Sequence, residues 1–143
     1  MTAALLANRL ARDPQRRNWT VDSAGVFAYE GQPASVNAVL EMRERGIELG
    51  GHCSQPVDHR LMEAADLVLA MTRHHVEGLQ QAFPDQAGKV RLLSEMVGRT
   101  YDIADPYGAS RAAYSTAARD LAALIERGYE RIVALAGVAP CAA

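Results

Sequence analysis

Two carboxylates three residues apart, Asp102 and Asp105, mark the stretch DIADPYGAS at 102–110. Pro106 stiffens the chain directly after Asp105, and Tyr107 and Gly108 follow. Carboxylates can move protons between reacting groups. Asp-Pro and Tyr-Gly are also ordinary loop punctuation, so the stretch taken alone reads as a surface turn. His74 and His75 raise the possibility of a metal. Adjacent residues on a helix point about 100° apart, so the two rings cannot chelate together, and a solvated helix start is the better reading. Cys53 and Cys141 lie far apart and make no disulfide framework. Ser23 reads as the end of a strand, and His52 as a loop or capping histidine.

The elements that would carry these residues follow from periodicity. TAALLANRLARD opens as a helix with Leu5, Leu6 and Leu10 on one face and only Thr2 as a cap. WTVDSAG reads as a strand ended by Gly25, and VFAYEGQP as a loop. ASVNAVLEMRERG is an amphipathic helix with Val36, Val39, Leu40 and Ile47 as its apolar stripe and Gly46 at its C-terminal end. DHRLMEAA is a short helix capped by Asp58. DLVLAMT reads as a buried strand, and RHHVEGLQQAF as a helix capped by Thr72 and stopped by Pro84. KVRLLSE is a further strand. Ser110 caps the longest helix, whose stripe is Tyr114, Ala117, Leu121, Leu124 and Ile125. After Gly128 the run YERIVALAG can continue as helix or switch to strand. Met42, Met62 and Met71 read as core fillers, and residues 138–143 as a loose tail.

Alternating helices and strands imply an α/β fold with a small parallel sheet in a three-layer sandwich. The 143 residues read as a single domain able to bury a core without staples. A net charge of −2 gives no footprint for nucleic acid, and no apolar run approaches the length of a membrane span. Without a secretory signal, a cytoplasmic location is the default expectation. Ligands of such sheets bind at the carboxyl ends of the strands, where SAGVFA, MTRHH and DIADPYG should share one rim.

With those loops in order, the chain resembles the low-molecular-weight protein tyrosine phosphatase family. VDSAG at 21–25, GHCSQPV at 51–57, ADLVLAMT at 65–72, KVRLLSE at 89–95 and DPYG at 105–108 carry the resemblance. Thr72, and Gly108 within DPYGAS, look most like the bacterial protein-arginine phosphatase branch; tyrosine phosphatases of the family have Asp and a second Tyr there. The resemblance implies hydrolysis of a phosphorylated protein through a phosphocysteine, with no cofactor and no metal. It implies that Asp105 is the general acid and then the base, that Tyr107 and Phe27 line the substrate slot, and that Ser23 and His52 brace the phosphate loop.

The family nucleophile sits in a Cys-x5-Arg loop between a first strand and the first helix, and the 143 residues contain no such motif. The expectation is therefore a chain without the central strand of the family fold and catalytically inactive as it stands. Cys53 and Arg60 are separated by six residues, SQPVDH, with no glycine and with an aspartate that would repel phosphate. Cys53 is read instead as a small core or edge residue. In the sheet, the slot beside VDSAG should stay open, be closed by direct strand pairing, or be filled by RIVALAG at 131–137. The alternatives are a non-catalytic remnant that binds a partner and, ranked last for want of extra redox cysteines, an arsenate reductase.

Overall fold

The computed structural model describes residues 1–26 and 28–137. Phe27, the expected tail at 138–143 and Cys141 lie outside the described residues. The chain divides into two compact units, Met1–Pro56 with Asp105–Glu126, and Val57–Ala104 with the chain from Arg127 onward.

The first unit begins with α1 (Thr2–Ala11), which carries no side-chain cap at Met1, in line with the lack of any capping residue but Thr2. Leu5 and Leu10 are buried and Leu6 is half-buried. In α2 (Val36–Glu44), the Ser35 hydroxyl accepts from the Ala38 N–H at 3.3 Å. Gly46 follows with φ +75°, a conformation that glycine adopts without a Cβ penalty.

The buried face of α2 is not the expected stripe. Val36 is 74% exposed and Leu40 41%, whereas Ala38, Glu41 and Met42 are buried. Ala38, Glu41, Met42 and Arg45 also recur at three- and four-residue spacing. A helix face is chosen by what it can satisfy, and here two arginines make burial of a carboxylate tolerable. The long helix α5 (Arg111–Ala136) begins in this unit, with Ser110 accepting from the Ala113 N–H at 3.2 Å. Tyr114, Ala118, Leu121, Leu124 and Ile125 are buried, with Ala118 taking the place expected for Ala117.

Val21–Ala24 form no strand; Gly25 alone makes a parallel bridge, to Pro56. The strand expected at WTVDSAG is therefore not formed: β-favouring side chains make a strand only where a neighbour completes its ladder. Cys53 makes an isolated antiparallel bridge to Pro33 and is exposed, so it is an edge residue and not a core one.

The second unit holds α3 (His59–Ala64), β1 (Val68–Ala70), α4 (Arg73–Ala82) and β2 (Val90–Leu92). β1 and β2 form a two-stranded parallel sheet, Val68 opposite Val90 and Ala70 opposite Leu92. This is the small parallel sheet of an α/β fold. The crossover runs through α4, as parallel pairing demands. Both expected caps are present: Asp58 accepts from the Leu61 N–H at 2.8 Å, and Thr72 from the His75 N–H at 3.1 Å. Met62 is buried and Met71 is half-buried.

Residues 131–136 are helical, which excludes their filling a strand slot. Gly128 does not stop the helix. A Cβ there would stand 2.7 Å from the Met96 Cβ, so this glycine permits close packing. Among the described residues, no helix is long and apolar enough to cross a membrane.

Candidate active site

Asp105 lies on an exposed loop of the first unit whose shape is set by its own backbone. Its Oδ1 accepts from the Tyr107 N–H at 3.0 Å, and the Pro106 carbonyl accepts from the Ala109 N–H at 2.9 Å. Gly108 completes the turn at φ +77°. A tyrosine at this position would be strained, because side chains crowd the backbone at positive φ. Tyr107 is 78% exposed and stands beside the carboxylate rather than in the core. The expectation of a turn is met: this is a tight turn with a carboxylate at its edge.

Burial lowers the pKa of the Met1 ammonium, and the Asp105 carboxylate works against that shift by holding the proton. Asp105 therefore lies near the start of α1. The first turn of a helix presents backbone N–H groups and the positive end of its dipole, which favours anions.

The other carboxylate of the stretch has a different job, within the second unit. Asp102 Oδ1 accepts from the Arg73 N–H at 2.9 Å and from Arg73 Nε at 3.3 Å, capping the first turn of α4 from outside. The backbone bond holds its carboxyl below the usual range, with the Arg73 charge adding to the effect. Asp102 is thereby kept ionised and occupied. Its approach is fixed by Ser94, whose buried hydroxyl donates to the Tyr101 carbonyl at 2.9 Å and accepts from the Tyr101 N–H at 3.1 Å.

Ser23 and His52 both lie in the first unit and are half-buried. Among the described residues neither side chain makes a hydrogen bond; the Ser23 carbonyl accepts from Gln55 Nε2 at 3.0 Å, and the His52 N–H donates to the Leu49 carbonyl at 3.1 Å. Gln55 was not singled out in the sequence. It also donates to Asp22 Oδ1 at 2.9 Å, and its carbonyl accepts from the Gly25 N–H at 3.0 Å, so it pins the SAG segment from the side. Its place in GHCSQPV was visible, but an amide that works across 32 positions leaves no local signal. Tyr29 is exposed.

These elements match known proteins. A family model described as low molecular weight phosphotyrosine protein phosphatase matches residues 1–135. The chain belongs to that family. A protein-arginine-phosphatase of Geobacillus stearothermophilus is 39% identical over 133 residues, 92% of this chain and 86% of the relative. A low molecular weight protein tyrosine phosphatase from T. tengcongensis superposes with a TM-score of 0.84 at 34% identity, covering 91% of this chain and 88% of that one. A mutant arginine phosphatase with a phosphorylated active-site serine in place of cysteine gives a TM-score of 0.84 at 36% identity, covering 93% and 86% of the two chains. The relatives of this phosphatase chain are thus named for arginine as well as for tyrosine phosphatase activity.

A second group missed from the sequence is the buried Glu41 of α2, 2% exposed. It accepts from Arg45 Nε at 2.9 Å and from Arg111 Nη1, while Arg111 Nη2 reaches Glu44 Oε1 at 3.0 Å. The Arg111 hydrogen bond is the main cause that holds the Glu41 carboxyl below its usual range, with Arg45 adding to it against the opposing effect of burial. A carboxyl with a depressed folded-state pKa contributes stability that is complete above the ordinary carboxylate value of about 4.3. That contribution is lost as pH falls through the lower folded value. Urea midpoints should therefore drop on acidification below about pH 4, and Glu41→Gln should flatten that drop. Equal acid sensitivity in the variant would assign the effect to other carboxylates. Glu41→Ala, which removes the buried carboxylate shared by Arg45 and Arg111 but leaves Arg111 its contact to Glu44, should lower the urea midpoint at neutral pH.

Proposed function

We propose that this chain works as the acid-loop and substrate-binding part of a protein phosphatase whose preferred substrate is phosphoarginine. The observation that carries the reading is the position of Asp105 near the start of α1, where a phosphoryl group would meet helix N–H groups. In the first step, a cysteine thiolate of a Cys-x5-Arg loop attacks phosphorus, forming the S–P bond as the bond from phosphorus to the guanidino nitrogen breaks. Protonated Asp105 gives its proton to that nitrogen. In the second step, Asp105 takes a proton from water as the water oxygen attacks phosphorus, and the S–P bond breaks to release phosphate. The phosphorylated serine in the mutant relative supports a covalent intermediate of this kind.

Tyr107 walls the substrate slot, and Ser23 and His52 brace the phosphate loop; the 143 residues act as one domain. The nucleophile is not among them, since they hold no Cys-x5-Arg. Gly108 favours phosphoarginine. At φ +77° it offers no second aromatic wall for a phenyl ring, and Thr72 likewise departs from the tyrosine phosphatases the chain resembles.

The test joins a family strand and Cys-x5-Arg loop ahead of Met1 and offers matched peptides carrying phosphoarginine or phosphotyrosine. The phosphoarginine peptide should be favoured in kcat/KM by about tenfold or more. A preference for phosphotyrosine would move the chain to the other substrate, and turnover of neither would remove the phosphatase reading for these residues.

A further inference from the structure

We propose that Glu41 and Arg111 form a clamp that positions the Asp105 loop by fixing the first turn of α5 on α2. The inference rests on the reading of Asp105 as the acid, and extends it to residues that touch no substrate. Arg111 is the first residue of α5 and follows the Asp105–Ser110 loop directly. Its guanidinium spans both carboxylates of the α2 face, Glu41 through Nη1 and Glu44 through Nη2. One turn further on, the Ser35 hydroxyl meets the Tyr114 hydroxyl at 3.0 Å. The exit of the loop is therefore tied to α2 twice, at the start and near the end of that helix.

Two features argue for positioning over simple stabilisation. First, a buried ion pair is a weak source of net stability, because desolvating both charges offsets their attraction. What it supplies is geometry: the planar guanidinium fork donates to its carboxylates in few orientations. Second, the loop of residues 105–110 is shaped by two local hydrogen bonds, Tyr107 N–H to Asp105 and Ala109 N–H to Pro106, and by Gly108, so its form and place depend on the hold at its exit. Small displacements of a catalytic group cost large factors in rate, so an acid on a surface loop benefits from a fixed exit.

The test begins on the 143-residue chain with amide hydrogen exchange. Arg111→Met is expected to speed exchange at Tyr107 and Ala109 about tenfold relative to α1, and Arg111→Lys, which keeps one charged contact, should recover part of that. Should Arg111→Met not fold, the double variant Glu41→Met with Arg111→Met removes the buried carboxylate together with its partly exposed partner and keeps the apolar volume. A folded variant with unchanged loop exchange overturns the proposal.

A second arm uses the chain joined to the Cys-x5-Arg loop. Arg111→Met should lower kcat on a substrate with a poor leaving group, leave KM nearly unchanged, and spare a substrate with a good leaving group that needs no proton. Equal losses on both substrates would mark a merely structural role and overturn the clamp. If Asp105→Asn is without effect while the exchange result holds, the acid assignment fails and the clamp stands as a loop anchor.

Discussion

Asp105→Asn, made in a chain that carries the Cys-x5-Arg loop, is expected to lower turnover by roughly 10²–10⁴-fold, the scale for loss of a general acid–base group. The amide keeps the shape of the side chain and can still accept from the Tyr107 N–H, which the carboxylate does at 3.0 Å. The loop should therefore hold its form, and the loss should be one of proton transfer. KM should change little, because the proton moves only in the transition state. The loss should be largest for a poor leaving group. A loss below about tenfold on such a substrate would place the acid elsewhere. Asp102 is a poor substitute, since Arg73 holds it ionised at the start of α4.

Residues 1–143 by themselves are expected to turn over neither phosphoarginine nor phosphotyrosine. The chemistry needs a thiolate of low pKa beside converging N–H groups and an arginine, all three within one loop. Cys53 cannot assemble that environment. It is exposed, it bridges Pro33 at the edge of a loop, and its nearest downstream arginine, Arg60, lies in α3. Adding the family's strand and Cys-x5-Arg loop should raise activity from background to that of a working phosphatase. The decisive control is Cys53→Ser. Turnover by residues 1–143 that disappears in this variant would make Cys53 the nucleophile and overturn the mechanism proposed above.

The motifs that led to the family were local, and so were legible. DPYG announces its own turn, because proline and glycine restrict or release the backbone wherever they stand. Thr72, Asp58 and Ser110 were readable for the same reason: a cap bonds an N–H two or three residues away. The DPYG motif ranked Asp105 above Asp102 by resemblance, but the pattern said nothing of what either carboxylate meets. Asp105 lies near the start of α1 and Asp102 caps α4, and each placement depends on chain segments tens of residues distant.

The stripe on α2 shows the opposite case. Val36 and Leu40 are more apolar than Glu41, so composition pointed to the wrong face. The helix turned instead to bury Met42 and a carboxylate, because Arg111 arrives from 70 residues away to meet it. Gly128 misled in the same manner: read as a possible helix end, it is a packing contact with Met96.

By itself, the sequence determined the α/β class, the helix starts, the turn that carries Asp105 and the ordered motifs of a phosphatase family. Each of these depends on backbone preferences or on spacing within a few residues. Only the tertiary structure decided that Val21–Ala24 forms no strand, that residues 128–136 continue a helix, that Gln55 pins the SAG segment, and that Glu41 is buried against Arg111. Those outcomes turn on whether a distant partner is present to complete a hydrogen bond or neutralise a charge, and an unpaired group inside a protein is too costly to leave to local preference.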